Sequence, residues 1–334
     1  MWSIPDALWH QAWRWLCRRR QKAPPGADIW HLRYHRAQVL LRLIRAAENG
    51  TYRLSPMQVV RRSYGQENLL QWSAGDALVL KWVSLQIQSR LPLSPRCTHI
   101  AGHRGGRSGL HAITRCLQEG HRFVYRTDIR GYYRHICKGQ LKRHVDRFIP
   151  EAHLRQLIHQ YVDYSVEDGG EFHTPLSGIP RGCALSPLLG ASFLWYVDGG
   201  FERERGLFYV RYMDDFLFLS PRRWPVRRAI ARLHTYFDDT GFTCHPDKTM
   251  AGRVEKGFDW LGVWFDERGP AGIAPRAMEN HRARCLRLEE QARRRGLSEE
   301  EIRARVQQYE ARWSIWADSQ LRAARENGLD WPES

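Results

Sequence analysis

The chain has 334 residues, of which 43% are hydrophobic and 26% are charged, and this composition indicates a folded globular protein rather than a disordered tail. Lys and Arg number 52 against 36 Asp and Glu, so the net charge is +16. Such an excess favours a polyanionic partner, with nucleic acid as the leading candidate. The longest apolar stretch, residues 184–197, is too short and too rich in Pro and Gly to span a bilayer, so no membrane partner is expected.

Residues 1–50 are predicted to form a basic helical region. Apolar residues such as Trp9 and Leu16 precede the cluster Arg18–Arg20, which is the reverse of the order in a secretory signal, so we expect an amphipathic helix. A second helix is predicted over residues 30–47, where apolar residues and arginines alternate at helical spacing. The seven cysteines form no Cys-x-x-Cys pair, which argues against a zinc knuckle or a disulfide framework and favours a reducing cytoplasm.

The next segment is predicted to contain an extended stretch over residues 52–60 and a helix from Asp76 to about Arg90. A cationic loop follows, with glycines at positions 102, 105, 106 and 109. Its exposed backbone amides suit phosphate contact. A solvated turn before a helix at residues 110–117 is an equally supported alternative.

Two acid-bearing β segments are predicted further along the chain. A short strand over residues 123–127 ends at Asp128, and the sequence LFYVRYMDDFLFL from Leu207 to Leu219 predicts a hairpin with Asp214 and Asp215 at its junction. Between them, a helical stretch is expected over residues 138–164, and a buried helix is expected over residues 184–197.

The C-terminal part is predicted to be a helix at residues 225–240, a pair of strands within residues 258–265 and a basic helical tail. In the tail, Ser298 and Glu301 have the spacing of a capping box. An apolar face follows them at helical spacing.

Two adjacent carboxylates in an apolar hairpin need a physical explanation, because a buried carboxylate is costly unless it is paired or binds a cation. Successive strand residues point to opposite faces, so Asp214 and Asp215 cannot both aim directly at one ion, and a third acid is required. Asp128 is the expected partner if the two strands lie side by side. Oxygen ligands of this kind suit Mg²⁺, and two ions about 3.5–4 Å apart can activate a hydroxyl and stabilise a leaving pyrophosphate.

The acid-bearing segments resemble motifs of reverse transcriptases. The run Tyr212–Asp215 resembles the YxDD signature, and Asp128–Tyr133 resembles the first palm motif of that family. Further similarities follow in family order: residues 178–189 resemble G-x-P-Q-G-x-x-x-S-P-x-L, residues 245–249 resemble the lysine-bearing palm element, and residues 258–262 resemble the primer-grip hairpin. Residues 52–56 and 105–108 resemble fingers elements of the group II intron type. The resemblance covers roughly residues 50–270 and points to bacterial enzymes of the group II intron-like, retron-like or defence-associated types.

The resemblance implies roles for individual residues of the catalytic centre. Asp128 and Asp214 would bind the metal ions, the Ile129 carbonyl would be an additional ligand, and Asp215 would be the supporting carboxylate. Two Mg²⁺ ions are expected, with Mn²⁺ as the alternative. Lys248 would protonate the leaving pyrophosphate or hold the triphosphate, and a solvated lysine is the alternative interpretation.

The resemblance also implies residues that contact the substrate. Tyr133 stands where the family keeps an aromatic that clashes with a ribose 2′-hydroxyl, so deoxynucleotides are expected; an ordinary core tyrosine is the alternative. Gly182 would shape the backbone beneath the nascent pair. Arg181 replaces the usual glutamine, which puts a cation where the family has a neutral side chain.

The fingers depart from the family pattern. Arg61 and Arg62 could replace the customary basic residue over the triphosphate, but Glu67 and Asn68 stand where a companion arginine is expected. Compensation by Arg107, or by Arg104, is a hypothesis.

The resemblance implies the α+β class: a right-hand polymerase with an antiparallel palm sheet and flanking helices. The expected divisions are the N-terminal helical region (1–50), fingers (51–125), a palm with helical fingers insertions (126–270) and a short helical thumb (271–334). The implied activity is RNA-directed DNA polymerisation, with RNA template, DNA primer and product, and dNTPs as partners. A dedicated noncoding RNA is a further candidate partner, and a retroelement or antiphage defence is the candidate setting.

Two alternatives remain open. One is a maturase-like RNA-binding or splicing cofactor, which the net charge would suit, although such a protein would gain nothing from three acids facing a phosphate backbone. The other is a polymerase with a different template, either an RNA-dependent RNA polymerase or an enzyme of DNA-templated repair synthesis.

Overall fold

The computed structural model describes residues 6–61, 68–100, 102–103 and 105–326, and the chain divides into two compact units. Unit 1 consists of Met1–Ser94, Arg130–Tyr196 and Thr240–Phe242, and unit 2 consists of Pro95–Ile129, Val197–Asp239 and Thr243–Ser334. Both units combine helices with a mainly antiparallel sheet, so the α+β class is confirmed.

The helices of the described residues are α1 (Ala7–Arg19), α2 (Asp28–Tyr34), α3 (Arg36–Glu48), α4 (Ala74–Ile87), α5 (Gly105–Gln118), α6 (Tyr132–His135), α7 (Lys138–Phe148), α8 (Ala152–Val162), α9 (Ser186–Phe193), α10 (Trp195–Gly199), α11 (Arg223–Thr240), α12 (Pro275–Arg293) and α13 (Glu299–Arg325). The strands are β1 (Met57–Val60), β2 (Leu69–Gln71), β3 (Phe123–Asp128), β4 (Val166–Asp168), β5 (Glu171–His173), β6 (Phe208–Tyr212), β7 (Asp215–Ser220), β8 (Met250–Arg253), β9 (Phe258–Trp260), β10 (Val263–Asp266) and β11 (Gly269–Ile273). Within the described ranges, no helix is long and apolar enough to cross a membrane.

Unit 1 is built from helices packed around α4 and a small sheet of order β2-β1-β4-β5. The predicted N-terminal helix is confirmed as α1, which packs on α4 through the stacked rings of Trp9 and Trp82, whose centroids are 4.5 Å apart. Trp9 also donates from Nε1 to Glu48 Oε1 over 3.0 Å. The buried face of α1 therefore joins it to both α4 and α3.

The single helices predicted over residues 30–47 and 184–197 are wrong, because each is two helices, and the helical stretch predicted over residues 138–164 also consists of two. The stretch 30–47 changes direction at His35, which lets α2 and α3 each pack on α4. The stretch 138–164 is interrupted at Pro150, since proline cannot continue the hydrogen bonding and pushes the preceding Ile149 out of helical geometry. The stretch 184–197 contains α9 and the start of α10.

Unit 2 contains a four-stranded antiparallel sheet of order β6-β7-β3-β8. On one face, Leu217 and Leu219 enter a core that includes residues of α5 and α13. On the other face, Phe216 packs against Phe237 of α11 with ring centroids 5.7 Å apart, and Phe218 stacks on Tyr209. Burial of both faces explains why the strand has a continuous apolar run instead of an alternating one.

The glycine-rich loop predicted before residue 110 is partly wrong, since α5 already begins at Gly105. At Gly106 the helix approaches two side chains closely: a Cβ there would lie 2.6 Å from Leu261 Cδ1 and 3.3 Å from Tyr212 Cε2. A larger residue would therefore displace the end of the Leu261 side chain and shift the Tyr212 ring slightly.

The last elements of unit 2 are a three-stranded sheet of order β11-β10-β9 and the pair α12 and α13. The strand pair predicted within residues 258–265 is confirmed, and β11 extends it. The capping box at Ser298 and Glu301 is also confirmed, with both reciprocal hydrogen bonds formed. The apolar face of α13 contacts α12, where Trp313 stacks on His281 with ring centroids 4.0 Å apart.

Candidate active site

The two adjacent aspartates lie at the tip of a tight hairpin. Tyr212 of β6 pairs with Asp215 of β7, so Met213 and Asp214 are the two residues of the turn. Met213 has φ = 56°, and a positive φ at the first central residue is the type II′ geometry, which favours glycine. A non-glycine residue in this region is strained by about 1–2 kcal/mol, so the surroundings must hold the turn in place.

Three hydrogen bonds fix the backbone of this turn. The Met213 amide donates to His99 Nδ1 over 3.0 Å, and the Met213 carbonyl accepts from Arg211 Nη1 over 2.7 Å. The Asp214 carbonyl accepts from the Ile129 amide over 3.2 Å. The turn is thus tied to the residue that follows Asp128 as well as to the strand beneath it.

Arg211 is fully buried and is held by an equally buried carboxylate. Its Nε and Nη2 donate to the two oxygens of Asp198 over 2.7 and 2.5 Å, and Tyr209 donates from its hydroxyl to the same carboxylate over 2.6 Å. A buried ion pair needs this degree of hydrogen bonding to offset its desolvation. The Asp198–Arg211 pair therefore acts as the internal support of the hairpin turn.

The third acid reaches the site from the neighbouring strand. Asp128 is the last residue of β3 and is directly opposite Asp215 in the antiparallel register, and it is 4% exposed. The Asp128 carbonyl accepts from the His245 amide over 2.8 Å, which positions the short 3-10 helix Pro246–Lys248. From there Lys248 Nζ donates to Asp128 Oδ2.

The electrostatics of the cluster show mutual repulsion between the carboxylates. Burial, together with the negative charges of Asp128 and Asp215, raises the pKa of Asp214 to about 6, and Lys248 opposes part of this effect. Burial also raises the pKa of Asp215, where the Arg126 guanidinium acts in the opposite direction. This donor set fits a hard divalent cation, because it consists of carboxylate oxygens and a cation would offset the repulsion.

Arg126 is a residue of the site that was not predicted from the sequence. It lies two residues before Asp128, so both side chains leave the same face of β3. Its Nη2 lies 3.5 Å from Asp215 Oδ1, and its Nη1 donates to Asp259 Oδ1 on β9. The alternation of side chains along a strand could have predicted that Arg126 shares a face with Asp128. Its partner Asp259 could not have been predicted in this way, because it is 133 positions away in sequence. His99 was missed for the same reason, since its partner Met213 is 114 positions away. Asp198 and Arg211 are only 13 positions apart, but their pairing depends on how α10 packs against β6.

Three predicted substrate residues, Tyr133, Arg181 and Gly182, line one cavity of unit 1. The Arg181 guanidinium lies 5.8 Å from the centre of the Tyr133 ring. Tyr133 is 7% exposed, and its carbonyl accepts from the Ile179 amide over 2.9 Å. Gly178 permits this pairing, because a Cβ there would lie 2.7 Å from that carbonyl oxygen. The structure thus joins the two sequence motifs that contain these residues.

The structure does not group the remaining predicted substrate residues with that cavity. Arg61 forms an exposed ion pair with Asp168 at 3.2 Å. Arg107 belongs to unit 2, where its Nη2 donates to Ser319 Oγ on α13 over 2.5 Å. Arg62 and Arg104 lie outside the described residues.

An antiparallel sheet with three carboxylates at the ends of two neighbouring strands defines a class of protein, the polymerases with a palm. The model of the family described as reverse transcriptase (RNA-dependent DNA polymerase) matches residues 81–265, which is more than half of the chain. The chain therefore belongs to the reverse transcriptase family, whose members use divalent metal ions. The matched region contains every predicted catalytic residue.

Two known proteins illustrate the similarity. The retron Mx162 reverse transcriptase of Myxococcus xanthus is 26% identical over 220 residues, which cover 59% of this chain and 44% of that protein. The chain thus spans less than half the length of this curated relative. The structure of apo telomerase from Candida tropicalis matches with a TM-score of 0.46 and 11% identity over 57% of this chain and 38% of that chain, a level on which no argument is based.

Proposed function

We propose that this chain is an RNA-directed DNA polymerase that adds deoxynucleotides to the 3′-hydroxyl of a primer. The observation that carries the proposal is the position of Asp128 and Asp215 opposite each other on neighbouring strands, with Asp214 in the adjoining turn. Two Mg²⁺ ions bound by these carboxylates, with Mn²⁺ as the alternative, would activate the primer hydroxyl and stabilise the leaving pyrophosphate.

The side chains of unit 2 have separate roles in this proposal. Asp128 and Asp214 are the direct ligands, with the Ile129 carbonyl as an additional one, and Asp215 is the supporting carboxylate that Arg126 orients. Lys248 already donates a hydrogen bond to Asp128, so its ammonium is held at the carboxylate cluster. In that position it can donate a proton to a phosphate oxygen or form an ion pair with it.

In unit 1, we assign Tyr133 the role of excluding a ribose 2′-hydroxyl. Its ring is supported from behind, because it packs on Tyr132 at 5.2 Å between centroids and a Cβ on Gly190 would lie 3.1 Å from its Cε1. A ring held in this way cannot yield to a larger sugar. Arg181 supplies a cation and Gly182 a backbone without a side chain beside it. Roles for Arg61, Arg62 and Arg107 at the triphosphate stay predictions.

The test is primer extension on an RNA template, comparing the wild type with Asp214→Ala and the matched control Asp239→Ala, an exposed carboxylate on α11. We expect extension by the wild type and the control in Mg²⁺ or Mn²⁺, and none by Asp214→Ala, because the remaining acids cannot hold the ions in the same arrangement. Extension by Asp214→Ala at the wild-type rate would overturn the assignment of the site.

The alternatives are separated by the substrates of the same assay. Extension on DNA but not RNA templates would indicate repair-type synthesis, and incorporation of ribonucleotides would indicate an RNA polymerase. If no template is extended while RNA is bound equally by the wild type and Asp214→Ala, the maturase-like binding function is the better description.

For the biological setting, we propose a retron-like enzyme with a dedicated noncoding RNA as its partner, in keeping with the name of the curated relative. A role in antiphage defence belongs to the same proposal. Sequencing the nucleic acid that copurifies with the wild type and with Asp214→Ala tests it: one recurrent RNA in both preparations, and complementary DNA in the wild type alone, is the expected result.

A further inference from the structure

The cavity that contains Tyr133 and Arg181 has a second wall formed by the N-terminal helix. Its volume is about 540 Å³, and Trp15 and Arg19 of α1 line it together with β2, Trp72 and the segment around Arg181. The family model begins at residue 81, so α1 lies outside the matched region. A contribution of α1 to this cavity is therefore a property of this chain that the family match does not include.

The cavity is positively charged. Its arginines are Arg19, Arg20, Arg134 and Arg181, and none of the described residues that line it is acidic. Arg20 has a structural role, because its Nη1 donates to Asp28 over 2.8 Å and its Nη2 to the Trp72 carbonyl over 2.5 Å. These bonds attach the end of α1 to the wall of the cavity. The neighbouring Arg19 is exposed and has no ion-pair partner among the described residues.

Aromatic side chains are interleaved with these arginines. Trp15 lines the cavity and has the Lys81 ammonium 5.7 Å from its ring centre. Trp72, which is 5% exposed, lines the same wall. A surface with arginines and aromatic rings matches the chemistry of a single nucleic-acid strand, whose bases stack while its phosphates pair with cations.

We propose that α1 binds the unpaired template strand, with Arg19 contacting a backbone phosphate and Trp15 packing against a base or sugar. The proposal rests on the proposed polymerase function and names a contact that the family resemblance does not assign. A nucleoside triphosphate carries a base, a sugar and phosphates as well, but its phosphates lie together, whereas the arginines of the lining belong to three separate segments: the end of α1, α6 and the residues around position 181. That distribution favours a strand with several backbone phosphates.

The test compares Arg19→Ala with Arg18→Ala, a matched control that removes an exposed arginine from α1 outside the cavity lining. Fluorescence anisotropy gives the Kd for two primer–templates, one with an eight-nucleotide 5′ template overhang and one with a single overhanging nucleotide. For Arg19→Ala we expect a Kd about 3- to 10-fold higher on the long overhang only, with a log–log salt slope lower by about 0.7. Arg19→Lys should restore most of the binding.

Two outcomes of the binding and kinetic measurements overturn the inference. Equal Kd values for Arg19→Ala and Arg18→Ala on the long overhang would show that α1 makes no template contact at this position. A higher KM for dNTP with both substrates, and unchanged Kd values, would assign Arg19 to the triphosphate instead. Extension by the wild type is measured in the same preparations, so its absence would identify a failure of the proposed function and not of the α1 contact.

Discussion

Arg126 connects the carboxylate cluster to the three-stranded sheet of unit 2. Its side chain is 12% exposed, and its guanidinium bridges Asp215 at the start of β7 and Asp259 in β9. Within the described ranges no lysine forms an ion pair with Asp215 as Lys248 does with Asp128, so Arg126 is the cation that orients this carboxylate. The β9 sheet and the sheet that holds the acids are thereby joined through one side chain.

We predict that Arg126→Met lowers the rate of primer extension about tenfold, equivalent to about 1.4 kcal/mol of transition-state stabilisation, because Asp215 loses its orienting partner. The KM for dNTP should change little. The control is Arg253→Met on the adjacent β8, where an arginine pairs with Glu255 and is 61% exposed.

Steady-state extension rates and urea unfolding curves provide the measurement. Arg126→Lys should recover part of the rate, since an ammonium can pair with one of the two carboxylates but not with both in the same geometry. A rate for Arg126→Met equal to that of Arg253→Met would contradict a positioning role. A fall in rate accompanied by an equal loss of folded protein would indicate a structural role alone.

The hairpin formed by β6 and β7 has a strained turn that is held by the buried Asp198–Arg211 ion pair. Met213 occupies a backbone region that costs energy for a residue with a side chain, and His99, Arg211 and the Ile129 amide each satisfy one of the turn's backbone groups. Strain of this type persists only where the surrounding structure determines it. The direction in which Asp214 points is thus a property of the network beneath the turn.

The buried Asp198–Arg211 pair should contribute strongly to the stability of the protein, although Asp198 takes no part in the proposed reaction. Asp198→Asn leaves the Arg211 charge buried without its counterion, so we expect a loss of about 3–5 kcal/mol in the free energy of unfolding. Glu119→Gln, which removes an exposed pair with Arg115 four residues away on α5, should cost less than about 0.5 kcal/mol. Urea denaturation measures both, and equal midpoints for the two variants would show that the buried pair does not stabilise the hairpin.

At the scale of the whole molecule, the excess of 52 basic over 36 acidic residues predicts binding that depends strongly on salt. Each phosphate contact releases condensed counterions, so log Kd for a primer–template should rise linearly with log salt, with a slope of about 0.9 per contact on duplex. Anisotropy titrations at several salt concentrations measure the slope. A duplex with uncharged methylphosphonate linkages is the control, and similar affinities for the two duplexes would exclude phosphate contact as the main source of binding.

Much of the fold around the carboxylates could be predicted from local patterns. The apolar runs on either side of Asp214 and Asp215 favoured a hairpin because two short β-type segments flank a turn, and the structure has β6 and β7 there. The strand that ends at Asp128 followed from the same signal. Helix boundaries were less accurate, as at His35, where α2 ends, α3 begins and both helices pack on α4.

The amino-acid sequence by itself determined the family, the order of the motifs and the three acids, because these depend on residue identity and on short-range periodicity along one strand or helix. Only the tertiary structure decided which side chains support the acids. Arg126 with Asp259 and Met213 with His99 are pairs separated by 133 and 114 positions, and the geometry of such contacts depends on how strands and helices pack. The same holds for Arg19, whose place in the cavity results from the packing of α1 on α4 and from the attachment of Arg20 to Trp72.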